Sequence, residues 1–312
     1  MTTQKQAIPT DGTRCGYVTL IGKPNVGKST LLNRILGQKV AITSSKPQTT
    51  RNRIPGVVTQ DGVQLILVDT PGLHKAKGLL NTFMVDVAEE ALWDTDVVVL
   101  IVEPGLGPEG QLGVSPVIQG VLDKLSDVDT PTVLVLNKVD KIDKPDLLPM
   151  IAAWSDIFDF HAIVPLSALD GEGVDTFVKT LGPLLPEGPF LYPPDTLTDL
   201  PERFIAGELV REQLFKLLEQ EMPYSVAVLV EEWRDRSSRG IIDISAVIAV
   251  ERDSQKAIVI GRRGQMIKDV GIRSRKALER MLGIQVNLKL HVKVEKGWTR
   301  SQSRLGQLGY KK

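Results

Sequence analysis

The sequence predicts two domains of different design: a doubly wound α/β domain with a mainly parallel sheet, and a smaller C-terminal α+β domain. Short apolar stretches such as VVVLIV at Val97–Val102 alternate with helix-compatible segments up to about residue 186. That alternation is typical of a parallel sheet covered on both faces. Beyond a proline-rich stretch the pattern becomes α–β–β–α–α–β. The 312 residues suffice for two domains at about 150 residues each.

Five apolar strands are expected in the first domain, reading YVTLIG, VQLILVDT, DVVVLIVE, TVLVLNK and AIVPLSA. Helix-compatible segments lie between most of them, for example Ser29–Leu36, Asn81–Leu92 and Val174–Leu185. Doubly wound sheets bind their ligands at the carboxyl ends of the strands. Most of the motifs described below follow such a strand.

The second domain opens with an amphipathic helix at Glu202–Gln220, followed by strands at Val226–Arg234 and Ile241–Val250. A basic helix is expected over Gln265–Leu282. In Ile284–Glu295 apolar and polar residues alternate strictly. This period of two indicates a strand with one buried face and one wet, basic face.

The chain divides into five regions by composition. We expect a flexible tail at 1–14, the first domain at 15–186, a linker at 187–201, the second domain at 202–297 and a basic tail at 298–312. The N-terminal tail lacks the apolar segment of a signal peptide. Pro189, Pro193, Pro194 and Pro201 predict a semi-rigid linker.

The net charge of zero conceals a strong asymmetry. Residues 200–312 carry 22 Lys and Arg against 14 Asp and Glu, whereas residues 1–199 carry 16 against 24. A basic C-terminal half indicates a polyanionic partner. The single cysteine, Cys15, excludes a disulfide scaffold and fits a reducing cytosol. No apolar run reaches the roughly 18 residues of a membrane span.

The stretch GKPNVGKST, Gly22–Thr30, matches the phosphate-binding loop pattern G-x-x-x-x-G-K-[ST] between a strand and a helix. Its glycines allow backbone amides to surround phosphates. Lys28 is expected to reach the β- and γ-phosphates, and Ser29 to bind Mg²⁺. The residues predicted to bind the nucleotide here are Gly22, Lys23, Asn25, Val26, Gly27, Lys28, Ser29 and Thr30.

The turn DTPG follows the strand VQLILV. Asp69 is expected to hold the Mg²⁺ shell, and the backbone N–H of Gly72 to sense the γ-phosphate. Thr70 and Pro71 complete the predicted contact set. By itself such a turn is equally compatible with an ordinary loop.

The stretch NKVD, at the end of the strand TVLVL, predicts the base. The carboxylate of Asp140 accepts two hydrogen bonds and so matches the N1–H and 2-amino group of guanine, which adenine lacks. Asn137 and Lys138 belong to the same set. The next strand ends in SAL, where Ser167 and Ala168 are expected to offer a backbone N–H to the guanine carbonyl.

The segment SSKPQTTRNR, Ser44–Arg53, lies where nucleotide-dependent switches place their first mobile loop. Thr50 is predicted to supply the second hydroxyl to Mg²⁺, with Thr49 as the competing candidate. The alternative is a polar surface loop. Ser29, Thr50 and Asp69 thus form the predicted metal set.

Two arginines lie between two glycines in GRRGQMIK, immediately before the basic helix. A glycine-rich turn at a helix start is suited to anions, because free backbone N–H groups point outward. The alternative is a tight turn with exposed arginines.

Together these motifs carry a family resemblance. GKPNVGKS, KPQTTR, DTPGLH, NKVD and LSA, followed by ERDSQKAIVIGRRGQMIK, resemble the bacterial Era family, over roughly Gly16 to Trp298. The resemblance implies a P-loop GTPase domain and a C-terminal type II KH domain. It also implies GTP hydrolysis, binding near the 3′ end of 16S ribosomal RNA, help in assembling the small (30S) ribosomal subunit, and a monomer in the cytoplasm, partly peripheral on the membrane.

In a KH domain GRRG would clamp the backbone of about four unpaired nucleotides. Arg262 and Arg263 would face phosphates. The predicted RNA set is Gly261, Arg262, Arg263, Gly264, Gln265, Ile267, Lys268, Lys289 and Lys293. Trp298 or Tyr310 in the basic tail would stack on a base, unless that tail is simply disordered.

The nucleotide site departs from Ras-like enzymes at Leu73, where they carry a glutamine that orients the attacking water. The Era family shares this apolar residue. His74 is interpreted as a surface residue. Asn25 resembles potassium-activated relatives, in which K⁺ supplies the charge of an arginine finger. The predicted catalytic set is Lys28, Thr50, Gly72 and Asn25.

Two alternatives to a GTP-hydrolysing RNA-binding protein remain. One is a GTP-switched RNA-binding protein with negligible hydrolysis. The other is a different assembly GTPase whose KH-like module lacks RNA affinity.

Overall fold

The computed structural model describes residues 12–74, 78–105 and 113–310. Within them the chain forms two compact units. The N-terminal unit contains most of the chain up to Asp199. The C-terminal unit contains the chain from Leu200 onward, and two segments from the first half of the sequence group with it, Ala41–Asn52 and Ala76–Met84.

A six-stranded sheet forms the centre of the N-terminal unit. Its strands are β1 (Arg14–Ile21), β2 (Ile54–Gln60), β3 (Val63–Asp69), β4 (Val97–Val102), β5 (Thr132–Asn137) and β6 (Ala162–Leu166), in the spatial order β2-β3-β1-β4-β5-β6. Only β2 runs antiparallel to its neighbour. The five predicted strands are all present. The prediction missed β2, whose Pro55 and Gly56 weaken the strand signal but are tolerated at a sheet edge.

In the described part of the chain before residue 200, the α-helices are α1 (Lys28–Leu36), α2 (Leu79–Trp93), α3 (Pro116–Ser126), α4 (Leu147–Ser155) and α5 (Val174–Leu181). Their apolar faces cover strands that are buried along their whole length, β4 and β5 above all. Parallel strands covered on both faces place the loops after their carboxyl ends at one edge of the sheet.

The proline-rich stretch packs on the N-terminal unit as far as Asp199. Gln64 is fully buried, and its Oε1 accepts hydrogen bonds from the backbone N–H groups of Leu191 and Tyr192, at 2.9 Å each. Its Nε2 donates to the carbonyl of Tyr192 at 2.8 Å. Further along, Val57 N–H donates to Leu197 O at 2.8 Å. The predicted spacer is therefore attached to the sheet over most of its length.

The C-terminal unit has the predicted order α–β–β–α–α–β. Its elements are α6 (Glu202–Leu217), β7 (Ala227–Arg236), β8 (Ile241–Val250), α7 (Asp253–Ile260), α8 (Gln265–Leu282) and β9 (Gln285–Val294). Strand β8 lies between β7, which is antiparallel to it, and β9, which is parallel. The core joins residues of α6, α7 and α8 to one face of this sheet.

The two chain ends differ from the predicted tails. Residues 1–11 of the N-terminal tail lie outside the described residues, and Arg14 already belongs to β1. At the other end, Trp298–Arg300 form a 3₁₀ turn and Gln302–Gln307 form helix α9. Trp298 is fully buried and Tyr310 is 5% exposed. The expectation that either ring stacks on a base is wrong, because both belong to the protein interior.

In the parts of the chain that the structure covers, we find no helix with both the length and the apolar character needed to span a bilayer.

Candidate nucleotide site and nucleic-acid interface

The phosphate-binding loop is built so tightly that its glycines are sterically required. Gly22 and Gly27 have φ of 152° and 104°, and Asn25 between them has φ of 66°. A Cβ at Gly27 would lie 2.1 Å from Nδ2 of Asn137, and one at Gly22 would lie 2.3 Å from the carbonyl oxygen of Ile101. The loop thus lies directly against the ends of β4 and β5, and helix α1 begins right after it.

Lys28 is folded into this loop. Its Nζ donates to the carbonyl oxygens of Gly22 and Lys23, at 3.1 Å each. Burial lowers the pKa of Lys28 to about 8, and the nearby charge of Asp69 partly opposes that shift. A buried ammonium held only by carbonyls favours a bound anion, because the anion would supply the missing counter-charge.

Two of the three predicted metal ligands lie together. Ser29 Oγ donates to Asp69 Oδ2 at 2.6 Å. Asp69 is fully buried at the end of β3, and the next residue, Thr70, donates its hydroxyl to Leu20 O at 2.7 Å. A hydroxyl and a carboxylate are hard oxygen donors of the kind that Mg²⁺ prefers.

The DTPG turn is hydrogen-bonded to the phosphate-binding loop and packs closely against it. Leu73 N–H donates to Gly22 O at 2.9 Å, and a Cβ at Gly72 would lie 2.6 Å from the nitrogen of Pro24. The side chain of Leu73 is buried in the hydrophobic core. This packing gives a physical reason for an apolar residue where Ras-like enzymes have glutamine.

His74, interpreted from the sequence as a surface residue, is held by the DTPG turn. Its ring is half-buried, and Nδ1 lies 2.7 Å from Gly72 O. The Nε2 atom is buried without a hydrogen-bond partner in the described structure. The DTPG carbonyl therefore fixes the orientation of the ring.

Asn137 connects three of the predicted loops. Its Nδ2 donates to Val26 O at 2.6 Å, and its Oδ1 accepts from Ala168 N–H at 2.9 Å. Asp140 accepts from Ser167 Oγ at 2.7 Å, which orients its exposed carboxylate. A guanine carbonyl would have to share the Ala168 amide with Asn137.

The remaining predicted nucleotide residues occupy varied environments. Val26, Pro71 and Thr70 are buried, Ser29 and Thr30 are half-buried at the start of α1, Lys138 is half-buried and paired with Glu103, and Lys23 and Asn25 are exposed.

The predicted switch segment groups with the C-terminal unit. Within Ala41–Asn52, Thr49 donates its hydroxyl to Lys46 O at 2.7 Å, and its own carbonyl accepts from Arg211 Nη2 at 2.5 Å. Thr50 lies next to Arg51, which is 1% exposed. Arg51 is not among the predicted site residues, because a polar loop does not indicate which of its arginines is buried; the signal that the sequence offers is its position directly after the two threonines.

The GRRG loop joins α7 to α8 by a left-handed turn. Gly261, Arg263 and Gly264 have φ of 73°, 53° and 76°. The side chains of Arg262 and Arg263 are exposed. Arg263 adopts a backbone conformation that costs a non-glycine residue free energy, and such strain collects at functional positions. Asn25, Lys138 and Gln48 are left-handed too, each inside another predicted motif.

The predicted RNA residues do not all share one face. Lys268 and Gln265 are exposed at the start of α8, and Ile267 is half-buried there. On β9, however, Leu288 and Leu290 pack on the core that contains Val259 of α7 and Val270 of α8. Because strand residues alternate, Lys289 and Lys293 point to the opposite face of the sheet. The structure therefore separates these lysines from the helix face of the GRRG loop.

Comparison with known proteins agrees with this architecture. The family model described as 50S ribosome-binding GTPase matches residues 17–138, and the KH domain model matches residues 221–299. The chain is 48% identical to a protein named GTPase Era from Geotalea uraniireducens (strain Rf4) over 297 residues, 95% of this chain and 98% of that protein. It is 46% identical to GTPase Era of Lactobacillus delbrueckii subsp. bulgaricus over 96% of this chain and 97% of that protein.

Two solved structures resemble the whole chain with a TM-score of 0.89. One is a variant of Aquifex aeolicus Era bound to GDP·AlF4⁻, at 39% identity, and the other is Era in complex with MgGDPNP and nucleotides 1506–1542 of 16S ribosomal RNA, at 38% identity. Each match covers 96% of this chain and 99% of the other. The predicted fold class, a P-loop GTPase domain followed by a KH domain, is confirmed. The chain belongs to the Era family of GTPases.

Proposed function

We propose that this protein binds and hydrolyses GTP, binds 16S ribosomal RNA near its 3′ end, and assists assembly of the 30S ribosomal subunit. The observation that carries the nucleotide half is the set of hydrogen bonds by which Asn137 joins the phosphate-binding loop to the SAL loop. These bonds hold the phosphate and base elements in one preformed arrangement. The family relationship supports the RNA half.

Catalysis in such a site is mainly positioning and charge stabilisation. Lys28 is held inside the loop, where its ammonium neutralises charge that develops on the β- and γ-phosphates. Gly72 supplies a backbone N–H to the γ-phosphate. Asn25 would help to hold K⁺, and the ion would supply the positive charge that an arginine finger supplies in other GTPases.

Mg²⁺ is the metal of this site. Ser29 and Asp69 supply two adjacent hard oxygens, and Mg²⁺ would neutralise phosphate charge when bound. The Era structure with MgGDPNP supports this assignment. The proposal keeps Thr50 as the third protein ligand, with Thr49, whose hydroxyl donates to Lys46 O at 2.7 Å, as the competing candidate.

The RNA site consists of GRRG and the first turn of α8. The loop presents two exposed arginines beside two glycines, and residues 252–312 carry 16 Lys and Arg against 4 Asp and Glu. Such a surface binds a phosphate backbone. The Era complex with a 16S ribosomal RNA fragment supports that choice of partner. Lys289 and Lys293 extend the positive charge on the other face of the sheet.

We place the protein, as a monomer, in the cytoplasm with part of it peripheral on the inner face of the membrane, a localisation that rests on the family resemblance alone. Sedimentation of the purified chain with anionic vesicles tests it.

The central test is phosphate release from GTP, measured with and without an RNA of the 16S 3′-terminal sequence, in K⁺ and in Na⁺. We expect slow turnover that requires Mg²⁺ and rises in K⁺. RNA binding without measurable turnover in any condition would favour the alternative, a GTP switch with negligible hydrolysis. Turnover without RNA binding would favour a KH-like module that lacks RNA affinity.

A further inference from the structure

The C-terminal unit contains a buried cation that the nucleotide and RNA sites do not use. Arg51, two residues after Thr49, is 1% exposed. Its Nη1 donates to Val226 O at 2.8 Å and to Tyr310 Oη at 2.9 Å. Its Nη2 donates to Tyr224 O at 3.0 Å and to Pro223 O at 3.3 Å. The guanidinium is thus held by three backbone carbonyls and one phenol.

Three aromatic rings surround the same guanidinium. Its central carbon lies 5.6 Å from the ring centroid of Phe215, 5.6 Å from that of Tyr310 and 6.0 Å from that of Trp298. These distances fall within the range of cation–π attraction. Tyr310 is also stacked on Trp298, with centroids 5.9 Å apart and an interplanar angle of 15°. We call Trp298 and Tyr310 the aromatic latch.

The aromatic latch also touches the segment that follows the DTPG turn. Phe83 of α2 makes an edge-to-face contact with Tyr310, with centroids 6.2 Å apart. Phe83 is 8% exposed and belongs, like Arg51, to a segment that groups with the C-terminal unit. Tyr310 therefore contacts both early segments that group with the C-terminal unit. Arg51 belongs to Ala41–Asn52, and Phe83 belongs to Ala76–Met84.

Helix α6 holds the rest of the first segment. Arg211 is fully buried, is paired with Glu208, and donates to Thr49 O at 2.5 Å. Thr43 N–H donates to Glu212 Oε1 at 3.1 Å. Lys46 Nζ donates to Phe215 O at 2.5 Å and also to Leu218 O, where a helix end offers unpaired carbonyls. These contacts lie at Thr49 and before it, and those of Arg51 lie directly after Thr50.

Burying Arg51 is costly, and this cost argues for a specific role. Desolvation, together with repulsion from Arg211, lowers its pKa. An arginine in a polar loop reaches solvent at little cost, whereas a buried one requires every donor to be matched. The Nε atom nonetheless has no hydrogen-bond partner in the described structure. Hydrophobic packing alone would be satisfied by a neutral side chain.

We propose that Arg51 and Tyr310 are positioning residues through which the C-terminal end of the chain sets the conformation of residues 41–52, the segment that contains Thr49 and Thr50. The latch fixes the backbone beside Thr50 and so prepares it for a nucleoside triphosphate. GDP lacks the γ-phosphate, so its affinity should not depend on the conformation of this segment. Within the C-terminal unit, Tyr310 and Arg51 thus connect the end of the chain to residues 41–52. This inference rests on the proposed GTP function.

The test compares the affinities for GDPNP and GDP by fluorescence titration with Mg²⁺. Tyr310→Phe keeps the ring contacts with Trp298 and Phe83 and removes only the hydroxyl bound to Arg51. Arg51→Met removes the buried charge at similar volume. We expect each variant to lose about fivefold or more in GDPNP affinity relative to GDP, the lower end of measured coupling between sites. Affinity for GDP stays within about twofold, because no γ-phosphate is involved.

Gln307→Ala is the matched control, since Gln307 is exposed on the same C-terminal segment. A double variant of Arg51 and Tyr310 should lose no more than the larger single loss, because both changes break one contact. If Arg51→Met fails to fold, faster hydrogen exchange of residues 41–52 in Tyr310→Phe supplies the same evidence.

If the ratio of GDPNP affinity to GDP affinity is unchanged in Tyr310→Phe and Arg51→Met, the proposal is overturned and both residues have a purely structural role. An increase in GDPNP affinity relative to GDP affinity also overturns it, since the aromatic latch would then oppose nucleoside triphosphate binding. Neither result affects the proposed function as long as the unsubstituted chain binds both nucleotides. Failure of the unsubstituted chain to bind them would overturn the proposed function and this inference together.

Discussion

The two glycine loops of the protein use glycine for different physical reasons. In the phosphate-binding loop, an added Cβ at Gly22 or Gly27 meets a neighbouring atom within 2.3 Å. In the GRRG loop, a Cβ at Gly264 meets no atom within 4 Å, although its φ of 76° is left-handed, whereas a Cβ at Gly261 would lie 2.6 Å from the Cβ of Met266 in α8. The first loop is packed into the end of a sheet, whereas the second projects from a helix pair. We therefore expect steric changes to matter most in the first loop and changes of charge to matter most in the second.

The largest effect we expect is that of Gly27→Ala. The new methyl group would collide with Asn137, which cannot withdraw because it is bound to Val26 O and Ala168 N–H. Left-handed strain at Gly27 adds to this cost. Together these effects amount to about 3 kcal/mol, or a loss of GTP affinity of about 100-fold.

Titration of a fluorescent GTP analogue measures this loss. Gly37→Ala is the control, because Gly37 ends the same helix with φ of 65° and open space around it. Comparable GTP affinity in the Gly27 and Gly37 variants would show that packing does not distinguish the two kinds of loop.

Charge reversal in the GRRG loop should lower RNA affinity without creating a steric clash. Arg262→Asp with Arg263→Asp should weaken RNA binding by about 30-fold and lower the salt dependence of log K by about 2, because two phosphate contacts are lost. GTP affinity should not change. Filter binding at several salt concentrations measures both quantities.

The same reversal at Lys289 and Lys293 is the matched control for the double arginine variant, since their side chains lie on the opposite face of the C-terminal sheet. An RNA affinity that drops equally in both double variants would mean that charge alone, and no particular face, governs binding.

Sequence patterns predicted local features and missed long-range ones, and the loops show why. The phosphate-binding loop was recognised because its glycines, lysine and serine lie within nine residues. The alternation of β9 predicted a wet face correctly but could not indicate on which side of the sheet α7 and α8 pack. Arg51 and Tyr310 are 259 residues apart, so no spacing rule connects them. The sequence showed only that Leu73 replaces the glutamine of Ras-like enzymes, and its burial in the core is visible only in the structure.

A smaller effect is expected from removing the charge of Lys28. Its pKa is lowered from 10.5 to about 8, so the unfolded chain binds more protons between these values. Stability of the nucleotide-free protein should therefore rise with pH across that window, and the cost of the buried charge is fully present below pH 8. Lys28→Met should raise the free energy of unfolding at pH 7 by about 1.5 kcal/mol and flatten the rise between pH 8 and 10.5.

Denaturant unfolding at pH 7, 8 and 9.5 checks this prediction, followed through a probe in the N-terminal unit. The variant should bind GTP poorly, which identifies the buried ammonium as a functional group held at the expense of stability. A variant less stable than the parent at pH 7 would show that the carbonyls of Gly22 and Lys23 stabilise the ammonium by more than its burial costs.

The smallest expected effect is that of Gly264→Ala. This variant measures the cost of the left-handed backbone conformation without any steric clash inside the protein. The methyl group meets no neighbour, so the cost is that of placing alanine at φ of 76°, about 1 kcal/mol of stability. Gly37→Ala, directly after α1, should cost about the same, because Gly37 shares the left-handed conformation and the open space. Only Gly264→Ala should also lower RNA affinity, since the methyl group stands where a nucleotide backbone approaches the loop. Thermal unfolding and RNA titration of the two variants separate these contributions. Equal RNA affinities would mean that Gly264 serves the turn alone and that the arginines account for the loop's recognition of RNA.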